Sequence, residues 1–287
     1  MRVLVLGATG MLGHMAFKVL SESGIHEVWG SLRDEKMRRF FPAQAQSVLL
    51  SGVDVLDNDS LVESIVRAKP GIVINCIGLV KQLPNAGDPL AALALNAMLP
   101  HRIARLCDLA NARLVHISTD CVFSGRRGMY RESEPSDAED LYGRTKFLGE
   151  VSDSVNAVTL RTSMIGHELA TSHSLLEWFL SQREPVKGYV NARFSGLPTA
   201  ELAKVLRDRV LPNPGLHGVY HVAAAPISKF DLLALIASEY GKEVDISAQD
   251  HPVMDRSLDA ERFRVATGYV APGWPEMVAS MRQTQYS

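Results

Sequence analysis

The sequence predicts an α/β fold in which a doubly wound parallel sheet is followed by a smaller mixed α/β lobe. Three observations lead to this prediction. Over the first half of the 287 residues, short apolar runs alternate with amphipathic stretches, which is typical of βαβ units in a parallel sheet. A glycine-rich turn follows the first apolar run. After about residue 163, the alternation gives way to Gly- and Pro-rich clusters separated by helical stretches.

The apolar runs are expected to be strands, because a strand that is buried on both faces reads as a continuous apolar run. The predicted strands are residues 2–7, 27–32, 47–52, 71–77, 113–118 and 157–162, and a run at 218–223 could return to the same sheet. Helical spacing predicts helices over residues 11–23, 59–68, 89–110, 199–210 and 228–240. Asp88 and Pro89 stand where an N-cap and a first helical turn are expected. We therefore divide the chain into a first domain, residues 1–163, and a C-terminal lobe, residues 164–287.

Composition and charge favour a protein that binds small molecules. Hydrophobic residues make up 46% of the chain, the formal net charge is -2 and no basic block occurs, so neither a nucleic-acid surface nor a membrane-binding helix is expected. The N-terminal "MRVLVLGATG" turns to glycine too early for a signal peptide. Cys76, Cys107 and Cys121 lack CxxC spacing, and the nine histidines form no convincing metal-binding pair. We expect a cytoplasmic protein without disulfides or a metal site.

The glycine-rich turn "GATGMLG" (7–13) follows the first strand and opens the first helix, which is the context of a dinucleotide-binding turn. Gly7 allows the tight turn, Gly10 lets backbone N–H groups approach a pyrophosphate, and Gly13 permits close helix packing. The remaining contacts that we assign to this turn come from Thr9, Met11 and Leu12. The GxxGxxG spacing favours a Rossmann domain of the short-chain dehydrogenase type.

The residue that follows the second strand helps to select the cofactor, because an acidic side chain there marks NAD and an arginine accommodates the additional phosphate of NADP. Arg33 occupies that position, and no carboxylate occurs between Val28 and Arg33. A planar guanidinium suits a phosphate. We therefore expect NADPH, with NADH possible. A solvated surface arginine is the alternative, since Asp34 and Glu35 follow immediately.

Tyr142 and Lys146, in "DLYGRTKFLGE" (140–150), are four residues apart at the start of a predicted helix. This spacing places both side chains on one helical face. A free tyrosine has a pKa of about 10, and a nearby ammonium is expected to lower that pKa and make the phenol a usable acid or base. The lysine could also donate to a nicotinamide ribose. In isolation, an exposed helical pair without chemical function would explain the same spacing.

Small polar residues follow the buried run "LVHI" in "HISTDCVFSG" (116–125), where a strand ends. Ligands bind at the carboxyl edge of such sheets. A hydroxyl group of Ser118 or Thr119 could hydrogen-bond a substrate carbonyl there and help to polarise it. A simple turn at the strand end stays open as an explanation for Ser118.

With these residues identified, the sequence resembles the extended short-chain dehydrogenase/reductases, and within them the dTDP-4-dehydrorhamnose reductase group. The segments that carry the resemblance are "GATGMLG", "VDVLD" (53–57), "NCIG" (75–78), "STDCVFSGRRGMYRESEP" (118–135), "LYGRTKFLGE" (141–150), "LRTS" (160–163), "GLPT" (196–199) and "RSLD" (256–259). The similarity spans nearly the whole chain, and the stretch from 118 to 150 is its most specific part.

The resemblance implies that NADPH reduces the 4-keto group of a nucleotide-linked sugar. Thr119 would then hold the carbonyl oxygen, and Tyr142 would supply a proton to it. Lys146 would tune the tyrosine and bind the ribose, and Asn96 is a candidate for relaying the proton. By the same resemblance, Asp54 and Val55 would flank the adenine, Cys76, Ile77 and Gly78 would run past the cofactor, Asp120 would face the sugar, and Arg256 would be a phosphate ligand in the substrate lobe. Lys81, in the loop after the fourth strand, is a further candidate for contact with the substrate.

The sequence also departs from the family pattern. Cys121 stands where the family usually has Tyr, and Met164 and Gly166 stand where it has Trp and Tyr. The loop after the fourth strand lacks the usual acidic segment and offers Lys81 and Gln82 instead. The sugar could therefore differ from 4-keto-rhamnose, and UDP, GDP and dTDP are all allowed as the nucleotide.

Two other functions stay open. An epimerase of the same superfamily would use the same tyrosine with tightly held NAD, although Arg33 speaks against it. A non-catalytic relative that regulates methionine adenosyltransferase also fits the motifs, because the presence of catalytic residues does not prove turnover. A 4,6-dehydratase is disfavoured because Asp120 is followed by Cys121 rather than by a second carboxylate. A homodimer through helices of the first domain is possible.

Overall fold

The structure is a computed structural model that describes residues 1–81 and 86–284, so Gln82 lies outside the described residues. Its strands are β1 (Arg2–Leu6), β2 (Glu27–Ser31), β3 (Leu49–Leu50), β4 (Ile72–Asn75), β5 (Arg113–Ile117), β6 (Ala157–Arg161), β7 (Met164–Ile165), β8 (Val186–Tyr189), β9 (Ala192–Phe194), β10 (Leu197–Pro198), β11 (Gly218–His221), β12 (Ile227–Ser228), β13 (Ile246–Gln249) and β14 (Met254–Asp255).

The α-helices are α1 (Met11–Glu22), α2 (Asn58–Ala68), α3 (Pro89–Ala92), α4 (Leu99–Leu109), α5 (Leu141–Leu148), α6 (Leu175–Ser181), α7 (Thr199–Val205), α8 (Lys229–Tyr240), α9 (Glu261–Thr267) and α10 (Trp274–Gln283). Short 3-10 helices cover Glu35–Phe40, Ala43–Val48 and Asp120–Val122, and π-helical segments cover Leu93–Met98 and Leu206–Val210.

Seven parallel strands form the central sheet, in the order β11-β6-β5-β4-β1-β2-β3. This arrangement confirms the predicted doubly wound parallel sheet, and all six strands expected in the first half are present. Each is shorter than its apolar run. The difference is largest at β3, because the chain after Pro42 forms a 3-10 helix that extends to Val48.

The sheet is buried on both faces, as its continuous apolar runs require. In β1, Val3 and Val5 join one apolar cluster while Leu4 and Leu6 join the cluster on the other face. The second cluster is completed by α2 and α4, and the first extends from the sheet into the C-terminal lobe, where it includes Leu232 of α8. The lobe itself contains three small sheets, β10-β7, β12-β9-β14 and β13-β8.

The helix predicted over residues 89–110 is interrupted. Between α3 and α4, the segment Leu93–Met98 is π-helical. Pro100, in the first turn of α4, has no N–H to offer the carbonyl of Asn96 four residues earlier, and a proline ring crowds that carbonyl. This explains why the widened turn lies where it does, and it places Asn96 in an irregular stretch of helix, a feature frequent at functional sites.

Residues 1–81 and 86–284 contain no membrane-spanning helix and no cluster of metal-binding side chains. Within them, no helix combines the length and apolar character that crossing a membrane needs. Nor do three His, Cys, Asp or Glu side chains in this part of the chain come together as a potential metal site.

Candidate active site

The glycine-rich turn has the geometry that a dinucleotide requires. Gly7 has a φ of 78°, in the left-handed region that favours glycine, and its N–H donates to Ser31 Oγ at 3.0 Å. A Cβ at Gly13 would collide with the Gly7 carbonyl oxygen. Gly10 is the N-cap of α1, and no side chain caps the helix. The first-turn N–H groups and the positive end of the helix dipole thus suit a pyrophosphate.

The end of β2 leaves Arg33 available for a ligand. Arg33 is exposed, and it forms no salt bridge with any residue in the ranges 1–81 and 86–284. The neighbouring Asp34 instead caps the 3-10 helix Glu35–Phe40, because its carboxylate accepts the Lys36 N–H at 2.9 Å. Arg38 is bound internally, to Ser51 Oγ and to the carbonyl of Leu49.

The two residues expected near the adenine lie in the loop that follows β3. Asp54 is exposed, and its Oδ1 accepts the Leu56 N–H at 2.9 Å. Val55 is buried in the apolar cluster on the α2 side of the sheet. The loop is therefore held in shape by these two side chains, one through a hydrogen bond and the other through packing.

The segment after β4 is supported by a buried pair that sequence reasoning missed. Asn75 Oδ1 accepts the Ile77 N–H at 3.1 Å, and Asn75 Nδ2 contacts His116 Nδ1 at 3.1 Å. Burial lowers the pKa of His116 well below its ordinary value, with the charge of Lys146 acting in the same direction. Polar residues inside the apolar runs "GIVINCI" and "RLVHIS" were the available signal. The neutral His116 thus orients Asn75, and Asn75 orients the segment that contains Cys76, Ile77 and Gly78.

Lys146 is a buried cation with only 4% of its surface exposed. Its Nζ donates to the Ile117 carbonyl at 2.8 Å. Burial lowers the pKa of Lys146 to about 8, while the negative charge of Glu150 opposes that shift. A Cβ at Gly78 would lie 3.8 Å from Lys146 Nζ, so Lys146 reaches the segment expected to run past the cofactor.

Tyr142 lies in the first turn of α5, beside Thr119 and Cys121. Burial raises the pKa of its phenol above the ordinary value, whereas a hydrogen bond with Thr119 opposes that rise. The expectation that the adjacent ammonium lowers this pKa is therefore wrong, because burial raises it and the charges of Asp120 and Asp140 act in the same direction. The phenol is protonated at neutral pH, which is the form that a proton donor needs.

The three polar residues after β5 take different orientations. Thr119 Oγ1 accepts the Cys121 N–H at 3.1 Å and donates to Asp120 Oδ1 at 3.2 Å. Burial raises the pKa of Asp120, and the charge of Arg256 opposes that rise. Ser118 is buried and donates to Glu150 Oε1 at 2.7 Å. Its hydroxyl group is therefore hydrogen-bonded inside the protein instead of facing the Tyr142 side chain.

Glu150 belongs to a buried ion pair that the sequence did not reveal. Its Oε2 lies 2.7 Å from Arg161 Nη2, and both side chains are 4% exposed. Arg161 also contacts His221 Nε2 at 3.3 Å, which joins the ends of β6 and β11 beneath the site.

Asn96 connects the loop after β4 to α5. Its Oδ1 accepts the Leu79 N–H at 2.8 Å, and its Nδ2 donates to the Leu79 carbonyl at 3.1 Å and to Thr145 Oγ1 at 3.3 Å. Both the oxygen and the nitrogen of the Asn96 amide therefore have hydrogen-bond partners inside the protein.

Two cations lie near Tyr142: Lys81 comes from the loop after β4, and Arg256 comes from the C-terminal lobe. Lys81 Nζ lies 5.4 Å from the centroid of the Tyr142 ring and 2.6 Å from Asp140 Oδ2. Arg256 Nε donates to the Phe123 carbonyl at 2.8 Å, and its Nη1 lies 3.6 Å from Cys121 Sγ. The structure therefore brings Lys81, Arg256 and Cys121 to the same opening as Tyr142.

Comparison with known proteins identifies the family to which this fold and site belong. The family model described as the RmlD substrate binding domain matches residues 1–284. The chain belongs to the RmlD family. This membership confirms the resemblance inferred from the motifs between residues 118 and 150.

Named relatives of this RmlD-family chain are distant. The probable low-salt glycan biosynthesis reductase Agl14 of Haloferax volcanii is 28% identical over 277 residues, which cover 93% of this chain and 87% of that protein. Methionine adenosyltransferase 2 subunit beta of Bos taurus is 24% identical over 83% of this chain and 72% of its own length. The crystal structure of dTDP-4-dehydrorhamnose reductase from Bacillus anthracis in complex with NADP has a TM-score of 0.80 at 21% identity and covers 99% of each chain.

Proposed function

We propose that the protein is an NADPH-dependent reductase of a nucleotide-linked 4-keto-6-deoxy sugar. The observation that carries the proposal is the convergence of Thr119, Tyr142 and Lys146 at the carboxyl end of β5, next to the Gly78 segment. Membership of the RmlD family supports it, as do the names of the Haloferax reductase and of the Bacillus dTDP-4-dehydrorhamnose reductase.

Each catalytic side chain has a role that follows from its contacts. The Thr119 hydroxyl, which lies beside the phenol, holds the oxygen of the substrate carbonyl. Tyr142 is protonated at neutral pH and donates its proton to that oxygen as negative charge develops there. The Lys146 ammonium stabilises the phenolate that forms when Tyr142 gives up its proton, and the phenol regains that proton from solvent after product release. Asn96 fixes the loop beside it. Bound NADPH supplies the hydride to the carbonyl carbon.

Residues 1–163 hold the cofactor in this proposal, and residues 164–287 contribute the substrate lobe. The cofactor contacts are Gly7, Thr9, Gly10, Met11, Leu12, Gly13, Arg33, Asp54, Val55, Cys76, Ile77, Gly78, Tyr142 and Lys146. Arg33 binds the additional phosphate of NADPH, which its exposure and lack of a salt bridge in the described residues support. Thr119, Asp120, Lys81 and Arg256 contact the nucleotide sugar. The cytoplasmic location stays a prediction.

A homodimer is proposed through the layer formed by α3, the π-helical segment, α4 and α5. Large apolar side chains are exposed on these neighbouring elements: Leu90, Met98, Phe147 and Leu148. His101 at the start of α4 contacts the Leu148 carbonyl at 2.8 Å, which holds α4 and α5 together. Contiguous exposed apolar surface of this kind marks an interaction site.

Turnover of a nucleotide sugar tests the proposal. NADPH oxidation is measured with a panel of 4-keto-6-deoxy sugars on dTDP, UDP and GDP, with NADH in parallel. We expect at least one sugar to be reduced, NADPH to be preferred, and Tyr142→Phe to lower kcat by at least about a hundredfold through loss of the proton donor. NADPH binding by this variant, measured by fluorescence, serves as the control. A phenylalanine variant that turns over normally contradicts the mechanism.

A regulatory role is the second candidate, because the relative from Bos taurus is a subunit of methionine adenosyltransferase. The same panel separates the two functions. A chain that binds NADPH, reduces none of the sugars and changes the activity of a purified methionine adenosyltransferase has the regulatory function.

A further inference from the structure

Asp140 uses its two carboxylate oxygens for two different partners. Oδ1 accepts the Gly143 N–H at 2.8 Å, which makes Asp140 the N-cap of α5. Oδ2 lies 2.6 Å from Lys81 Nζ, a residue 59 positions earlier in the chain. Because α5 carries Tyr142 and Lys146, one carboxylate connects the start of the catalytic helix to the loop after β4.

The ion pair determines where the Lys81 ammonium stands. Lys81 and Asp140 are 39% and 43% exposed, and an exposed pair adds little to folding stability. The ion pair instead fixes the position of Lys81, because it holds Lys81 Nζ 5.4 Å from the centroid of the Tyr142 ring. An ammonium has three N–H donors, and Asp140 Oδ2 uses one of them. The others can serve an oxygen that approaches the phenol.

The backbone near Lys81 is also fixed to α5. Leu79, two residues earlier, is bound through both its N–H and its carbonyl to the Asn96 amide, and that amide donates to Thr145 Oγ1. The short segment from Leu79 to Lys81 is therefore tied to the same helix at both of its ends. The lysine side chain reaches Asp140 from an anchored backbone.

The surrounding charges keep Asp140 ionised. Partial burial acts to raise its pKa, but the Gly143 N–H and the Lys81 ammonium hold the pKa below its ordinary value, with Arg256 acting in the same direction. Asp140 is thus a full negative charge at neutral pH, able to retain the ammonium.

We propose that Asp140 is a positioning residue that holds Lys81 over the Tyr142 ring, so that Lys81 donates a hydrogen bond to the nucleotide sugar beside the phenol. This inference rests on the proposed reductase function. Asp140 touches neither the sugar nor the cofactor in it, and it acts through Lys81.

The decisive variant is Asp140→Asn. Asparagine is as good an N-cap as aspartate, so the start of α5 is kept while the charge that binds Lys81 is lost. We expect KM for the nucleotide sugar to rise about tenfold, as for a lost charge-assisted hydrogen bond, with KM for NADPH and the melting temperature nearly unchanged. Lys81→Met should have the same effect. The double variant should be no worse than either single variant, because both remove one interaction.

Two further variants separate positioning from structure. Lys69→Met removes an exposed lysine at the end of α2, which precedes β4 and so lies at the edge of the sheet opposite the site. It should leave every kinetic constant unchanged. Asp140→Ala removes the cap as well, so it should also lower the melting temperature. The inference is overturned if Asp140→Asn leaves KM for the sugar unchanged, if its effect and that of Lys81→Met add, or if KM for NADPH rises equally.

Crystals without substrate test the geometry independently of turnover. In the wild-type protein, Lys81 Nζ should lie within about 6 Å of the Tyr142 ring centroid, and in Asp140→Asn it should leave the ring. If it stays there in the variant, Asp140 does not position it. A wild-type protein that reduces none of the sugars refutes the proposed function, and the crystals still decide the role of Asp140.

Discussion

At the scale of single residues, burial has more influence on the candidate site than any charge. It raises the pKa of Tyr142 and lowers that of Lys146 to about 8. Both shifts favour the uncharged form, as desolvation does. As a result, the Tyr142 phenol keeps its proton at neutral pH, whereas the Lys146 ammonium loses its proton only slightly above neutral pH.

The Lys146 pKa predicts how activity depends on pH. Because the proposed role of Lys146 needs its ammonium form, kcat/KM should fall as pH rises through about 8. The negative charge of Glu150 raises this pKa, so Glu150→Gln should move the midpoint of the fall to lower pH. The pH profile of kcat/KM at constant ionic strength measures the shift. A midpoint that stays in place or moves upward contradicts this account.

The same group has the opposite effect on folding. Its pKa is lower in the folded protein than the ordinary lysine value of 10.5, so the unfolded chain binds more protons between about 8 and 10.5. The contribution of Lys146 to the free energy of unfolding therefore rises with pH in that window, while activity falls. Glu150→Gln also leaves the buried Arg161 without its ion pair, and removing one partner of such a pair typically costs about 3–5 kcal/mol. A melting curve of the variant is the necessary control.

At the scale of secondary structure, the site depends on how α5 packs against the irregular helix that contains Asn96. Gly149, directly after α5, lies against the carbonyl oxygen of Asn96, and a Cβ at Gly149 would collide with that oxygen. Only the hydrogen atom of a glycine fits between Gly149 Cα and that oxygen. The π-helical turn and the missing side chain at Gly149 together set the distance between the two helices.

Substitution of Gly149 tests this packing. Its φ of -88° is accessible to alanine, so Gly149→Ala adds a steric clash without backbone strain. We expect a loss of about 1–3 kcal/mol in the free energy of unfolding, as for other overpacked sites, and a lower kcat because Tyr142 and Lys146 move with α5. Urea denaturation and turnover assays measure the two effects. Gly87→Ala is the matched control, since among the described residues no heavy atom beyond its immediate chain neighbours lies within 4 Å of the added carbon. Equal behaviour of the two variants would contradict the packing account.

At the scale of the whole molecule, the apolar core and the exposed apolar layer have different consequences. One core cluster extends from the central sheet into the C-terminal lobe, so the two parts of the chain share one apolar core. On the outside, Leu90 is 78% exposed and Leu148 is 57% exposed. Covering apolar side chains of this size with a second protein surface removes them from water and so favours association.

The proposed homodimer follows from that exposed layer. We expect light scattering after gel filtration to report twice the mass of one chain, and we expect Met98→Glu combined with Leu148→Glu to yield single chains, because it places charges in the interface. Val265→Glu, an equally drastic change at an exposed residue of α9, should leave the dimer intact. A wild-type protein with the mass of one chain at micromolar concentration contradicts the proposal.

The sequence by itself determined the features that depend on neighbours along the chain. Continuous apolar runs predicted the parallel sheet, and the glycine spacing predicted the turn into α1. The spacing of four placed Tyr142 and Lys146 on one helix. The family resemblance came from the same local motifs, and the family model confirmed it over residues 1–284.

Only the tertiary structure decided what depends on distant parts of the chain. Lys81 meets Asp140 across 59 positions, and Asn75 meets His116 across 41. No local pattern encodes such pairs, since each arises when strands and helices pack. The direction of the Tyr142 pKa is of the same kind. Sequence shows the ammonium four residues away, whereas the burial that raises the Tyr142 pKa comes from the folded protein as a whole.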